Sequence, residues 1–183
     1  RWKLTMKFWF APFVFLLTIN AVANPSQPSQ WQFKVLLDNR EIGTHHFTVT
    51  DSNGQQTIQT EASFDVKILF VNLYRYRHQS TEVWQGNCLR SIDSETDANG
   101  KPFLVAGKLV AGQLVTGQAK DNYFQVSTAI AEKELPPCIM TFAYWNPAFL
   151  AEDKLLNSQT GIYEDVTITR LGEESFQFNG KAV

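Results

Sequence analysis

The sequence predicts an all-β fold: an antiparallel meander forming a strongly curved sheet or an incomplete β-barrel, with one short helix near residues 146–156. Three observations predict it. Apolar and polar residues alternate over long stretches, the two-residue period of a half-buried strand. Turn chemistry recurs at roughly ten-residue intervals, as DSNG, WQGN, DANG and VAGQ. No helical segments intervene regularly between the strand-like runs, which disfavours a parallel α/β architecture.

The first strands lie in WQFKVLLDNREIGTHHFTVTDSNG, residues 31–54. Trp31, Phe33, Val35 and Leu37 fall on one face, Asp38-Asn39 suits a tight turn, and Asp51 to Gly54 marks the next reversal. KILFVNLYRYRHQSTEVW, residues 67–84, puts Tyr74, Tyr76, His78 and Ser80 on one face and Arg75, Arg77 and Gln79 on the other. FLVAGKLV, NYFQVST and VTITRL supply further strands. In YWNPAFLAEDKLLNSQTG, Asn146 can cap a helix, Pro147 fits its first position, and Asn157 to Gly161 ends it. FQFNGKAV stops as the far strand of a hairpin around Asn179-Gly180 begins, which reads as a chain truncated before its last strands.

Composition and the N-terminal segment bound the function. With 44% hydrophobic and 19% charged residues, the chain has the composition of a folded domain. In MKFWFAPFVFLLTINAVA, Met6 to Ala23, a lysine precedes an apolar run, and Ala21-Val22-Ala23 closes it with the small residues a signal peptidase requires. Residues 1–23 are therefore expected to form a cleaved signal peptide, with 1–5 upstream of the true start and a periplasmic destination. The run is too short to span a bilayer and Pro12 interrupts it, so no stable membrane span is expected after cleavage. Residues 24–30, NPSQPSQ, read as a flexible leader, and 31–183 as a single β domain. Without Arg1, Lys3 and Lys7, the 16 basic residues fall to 13 against 18 acidic ones, a formal charge of -5 that argues against a nucleic-acid surface. The only two cysteines, Cys88 and Cys138, are expected to pair in an oxidising compartment.

The adjacent histidines His45 and His46 raise the question of a metal. On a strand they point to opposite faces, so they cannot readily ligate one ion, and no metal site is expected. His45 shares its face with Gly43, Phe47 and Val49, where an imidazole needs a hydrogen-bond partner. Asp93, Glu95 and Asp97 in DSETDANG lack the ordered ligand register of an EF-hand and read as a solvated acidic turn. No GxSxG elbow, HExxH, P-loop or CxxC is present. No cofactor is expected.

The residues Trp31-Gln32-Phe33, Ile42-Gly43 and His45-His46-Phe47 form part of a wider pattern. With them go Tyr76-Arg77-His78, Glu82-Val83-Trp84, Gly86, Thr96, Asn99-Gly100, Tyr144-Trp145-Asn146, Leu156-Asn157 and Thr160-Gly161. Together they resemble an uncharacterised family of exported bacterial β proteins, the domain-of-unknown-function family 6134. The resemblance implies an antiparallel β architecture that continues through another strand pair. It implies no established chemistry.

Export, a β meander, aromatic richness and the missing catalytic set lead to one functional expectation. It is a non-enzymatic periplasmic protein binding a lipid or other apolar small molecule on the concave face of the sheet. The expected contacts are His45, Tyr74, Tyr76, His78, Trp84 and Trp145. The alternatives are a small hydrolase or isomerase with His45 or His78 as general base, and an envelope assembly or scaffold protein that recognises a partner through an exposed edge strand.

Overall fold

In the computed structural model, the described residues are 28–68, 71–112, 114–115, 118–119, 121–170, 172, 176–178 and 181–182. The expected signal peptide, most of the expected leader, and Asn179-Gly180 lie outside them.

The main sheet is an antiparallel meander. It contains β1 (Ser29–Leu37), β2 (Arg40–Ser52), β3 (Gln55–Ile68), β4 (Val71–Gln85), β5 (Cys88–Ala98) and β6 (Lys101–Val110). The small hairpin β7 (Leu114–Val115) and β8 (Gln118–Ala119) leads to β9 (Tyr123–Thr128), which pairs with β6, and β10 (Glu132–Leu135) completes the sheet. The spatial order is β1-β2-β3-β4-β5-β6-β9-β10. The sheet is open, with β1 and β10 as its edges, and does not close into a barrel. Ser29 and Gln30, expected in the leader, belong to β1.

Tight turns set the register. Asp38-Asn39, Asn53-Gly54 and Asn99-Gly100 all have positive φ, as the two central residues of a type I′ hairpin turn require, and that turn's twist matches the twist of the flanking strands. Cross-strand partners then form continuous rows on one face. One row runs Phe33, His45, Ala62, His78, Thr96, Phe103; the next runs Trp31, Phe47, Thr60, Ser80, Ser94, Val105. Three bulges adjust the phase, with Ile42, Leu73 and Arg90 as the extra residues. The bulge at Arg90 allows Leu89 and Ile92, three apart, to face inward together, and both are buried. At Gly43, a Cβ would lie 2.0 Å from the Ser63 carbonyl oxygen, so β3 can approach β2 only because that position lacks a side chain.

A strap, residues 136–166, crosses this inner face. The Cys88–Cys138 disulfide, with Cα atoms 4.7 Å apart, anchors its start to the β4–β5 turn. Leu89 N–H donates to the Ile139 carbonyl at 3.0 Å, Ser94 Oγ donates to the Ser158 carbonyl, and Gly161 lies against Thr128 and Val105. Ile139, Met140, Trp145, Phe149, Leu155 and Leu156 meet Ile58, Trp84, Leu89, Ile92, Phe124 and Val126 in one core.

The helix expected over 146–156 is shorter and tighter than that. Asn146 caps through its side chain and Pro147 starts a helical turn, but the turn is a 3-10 helix ending at Ala151. The chain is extended by Glu152, and Lys154–Leu156 forms β11, paired with β12 (Tyr163–Asp165). Five residues cannot repay helix nucleation, whereas extension gives Leu156 N–H a 2.8 Å bond to the Met140 carbonyl and buries both leucines. The C-terminal elements β13 (Ile168–Arg170), β14 (Phe176–Phe178) and β15 (Lys181–Ala182) form a separate three-stranded sheet. Among the described residues, no helix is long and apolar enough to cross a membrane.

Candidate functional site

The strap covers the inner face between the Cys88 end and the row that contains Ser80 and Ser94. Beyond it the face continues as aromatic and imidazole side chains. Phe64 of β3 sits directly across from Tyr76 of β4, their rings stacked at 4.4 Å and 12°, and Val66 sits across from Tyr74. Tyr76 stacks with His78 at 6.2 Å and Phe64 with Tyr74 at 6.5 Å. From the neighbouring strands, Phe33 meets Phe47 edge to face at 5.8 Å, and His45 lies 4.3 Å from Phe47. Tyr144 reaches in from the strap, 6.0 Å from His45 and 6.5 Å from Phe33.

The structure brings His45 and His78 onto one row, on either side of Ala62. They stand two strand spacings apart, roughly 10 Å, with Ala62 buried between them. His78 is buried and its Nδ1 shares a 2.7 Å hydrogen bond with Thr96 Oγ1. The Nε2 of His45 is buried without a partner. Burial pushes both imidazoles down, each to about 4, and for His45 the charges of His78 and His46 add to the effect. Both rings are therefore neutral near pH 7. Burial also raises Tyr76 to about 12, against a hydrogen bond to Thr96, and raises Tyr144. The end of the face is aromatic and uncharged, with hydroxyl and ring-nitrogen groups inside it. His46 is exposed on the opposite face, and no group of three or more His, Cys, Asp or Glu among the described residues could hold a metal ion.

The six expected contact residues do not share one surface. Tyr74 and Tyr76 are half-buried toward the uncovered end, His45 is half-buried beside Tyr144 of the strap, and His78 is buried in the adjoining row. Trp84 is 0% exposed in the core, its Nε1 donating to Glu82 Oε2 at 2.9 Å, and Trp145 packs edge to face on it at 5.5 Å. Both tryptophans are at the strap end. Sequence reasoning missed Phe64 and read Tyr144, with Trp84 and Trp145, as core or rim packing rather than as a contact residue. Phe64 is in phase with Tyr76 once the turn at Asn53-Gly54 fixes the register, so that signal was present, whereas nothing local aims Tyr144 across the sheet.

Glu82 was also missed. It is fully buried under the strap, where its Oε2 accepts from Trp84 Nε1 and from Thr141 Oγ1 at 3.2 Å. Burial raises its carboxyl to about 7, and the two hydrogen bonds oppose that shift. Asp97 of the acidic turn accepts from Gly100 N–H at 2.6 Å, shaping the β5–β6 hairpin.

Two surface depressions lie along β1, the first bordered also by Trp31 and Phe47. One, of about 450 Å³, takes Gln32, His46, Gln59 and Glu61 from the outer face. The other, of about 360 Å³, lies beside the strap between Trp31, Val49, Gln56, Asn87, Trp145 and Asn146.

The sequence profile of a family described as a domain of unknown function, DUF6134, matches residues 33–183. The chain belongs to this family. The match takes in every strand of the meander after β1, the strap and the C-terminal sheet, so the open sheet with its crossing strap is the architecture of a DUF6134 chain. No curated protein and no solved structure matches the chain.

Proposed function

We propose that this DUF6134 protein is an exported, periplasmic binding protein. It holds a lipid or other apolar small molecule on the inner face of its sheet, at the end the strap leaves uncovered. The observation that carries this reading is the row-by-row continuation of the core past the strap. Phe33, His45, Phe64, Tyr74, Tyr76 and His78 share the inner face with the core residues, and most are only half-buried. Apolar surface presented in this way gains free energy when a ligand removes it from water, about 25 cal/mol per Å². The signal-like segment Met6 to Ala23 and the disulfide support the exported address.

A general-base reading of His45 or His78 receives less support. An imidazole held near 4 is a weak base at neutral pH, and Nδ1 of His78 is engaged with Thr96. Native mass spectrometry and lipid extraction of the mature protein, isolated from periplasm under mild conditions, test the binding reading. The expected result is a stoichiometric apolar adduct in the wild type that is lost in Tyr76→Ala and Phe64→Ala. A clean unliganded mass for wild type, together with no uptake of added lipid, would refute it.

A further inference from the structure

The depression beside the strap differs in kind from the aromatic end of the face. Trp31 of the edge strand is 48% exposed and forms one wall, and Trp145 forms another. The remaining side chains named above are apolar or neutral polar, Val49, Gln56, Asn87 and Asn146, and among the described residues no charged one lines the space. Trp145 is 9% exposed, and its Nε1 is buried with no hydrogen-bond partner. An indole N–H can only donate, so what it lacks is an acceptor. Asn146 is held in place from both sides, its Oδ1 accepting from Ala148 N–H at 3.0 Å and its Nδ2 donating to Asn87 Oδ1 at 3.3 Å.

We propose that this depression is a binding site for a neutral saccharide. The lining selects that class. An uncharged wall has nothing to neutralise an anion or a cation, while side-chain amides present the paired donors and acceptors that sugar hydroxyls satisfy. The half-exposed Trp31 ring gives a flat apolar platform for the C–H face of a pyranose. Trp145 lines the same depression, so its indole N–H reports on occupancy. The depression's about 360 Å³ suits one or two sugar rings. The site is separate from the apolar site proposed above, and either can stand without the other.

Nitrogen-edited NMR of the indole N–H resonances, with chitobiose, cellobiose and maltose each titrated to about 20 mM, the range in which a shallow site is read, tests the assignment. The expected result is a saturable shift of the Trp145 indole N–H with at least one disaccharide. Trp31→Ala should weaken that binding about tenfold or more, and Asn87→Ala about fivefold, as for the loss of one hydrogen bond. Both substitutions are at exposed positions, and an unchanged backbone spectrum shows that the fold survives. No saturable shift with any of the three sugars overturns the proposal, as does a shift that persists unchanged in both variants.

Discussion

At the scale of single residues, three buried titratable groups give the protein opposing pH dependences. His45 and His78 have folded pKa values of about 4, below the 6.5 of an unperturbed imidazole. The unfolded chain therefore takes up protons first, and the stability these groups support is complete above pH 6.5 and lost as pH falls toward 4. Glu82 does the reverse. Its folded pKa is raised from 4.5 to about 7, so the folded chain keeps a proton that the unfolded chain has lost, and its contribution falls as pH rises from 4.5 through 7. Denaturant titrations across these windows separate the two. The advantage of Glu82→Gln over wild type should grow with rising pH, while that of His45→Phe should grow with falling pH, each by about 1–2 kcal/mol across its window. Curves parallel to wild type at every pH would contradict both. Gly43 offers a steric prediction. Gly43→Ala drives a methyl into the Ser63 carbonyl and should destabilise by about 2 kcal/mol or more, read as a lower denaturant midpoint.

At the scale of elements, the strands and their turns were legible, and the strap was legible only in part. The period of two and the Asn-Gly pairs at residues 53–54 and 99–100 specified the meander, because a type I′ turn and a one-sided apolar pattern each permit one register. The capping signal at Asn146-Pro147 correctly marked the start of a helical turn. Its end was not readable, because Leu155 and Leu156 are extended for reasons supplied by Met140, Thr141 and Tyr163, residues distant in sequence or on another strand. Leu155 and Leu156 are 0% exposed, so Leu155→Ala should cost about 2–5 kcal/mol, an effect far larger than an exposed helix position would show. The two sheet edges also differ. β10 reads Glu-Lys-Glu-Leu and is followed by Pro136-Pro137, whereas β1 carries one charge, Lys34, beside exposed Leu36 and Leu37. Charges and prolines blunt an edge against further pairing. Leu36→Lys is therefore expected to lower concentration-dependent self-association in light scattering relative to wild type, while Glu132→Lys leaves it unchanged.

At the scale of the whole molecule, the eight-stranded sheet has its inner face partly closed by a strap, and the disulfide fixes where the closure begins. The bridge closes a loop of 50 residues, worth about 4 kcal/mol on the chain-entropy account. Replacing Cys88 and Cys138 together by serine should lower stability by about that amount. Hydrogen exchange should quicken first in the strap amides of Ile139 to Tyr144, and later in β3 and β4 at the sheet centre. Equal acceleration throughout would mean that strap and sheet open together. Local backbone geometry and alternation, readable in the sequence, set the all-β meander, the turn positions, the separation of His45 from His46 onto opposite faces, and the shared face of Tyr74, Tyr76, His78 and Ser80. Which inward-facing residues are core and which remain uncovered was decided by tertiary structure. Trp84 and Tyr76 occupy the same face of one strand, and only the path of a segment some 60 residues later buries the first and leaves the second half-exposed. The physical reason is that burial is a property of what packs against a side chain, and strand periodicity encodes the face but not its cover.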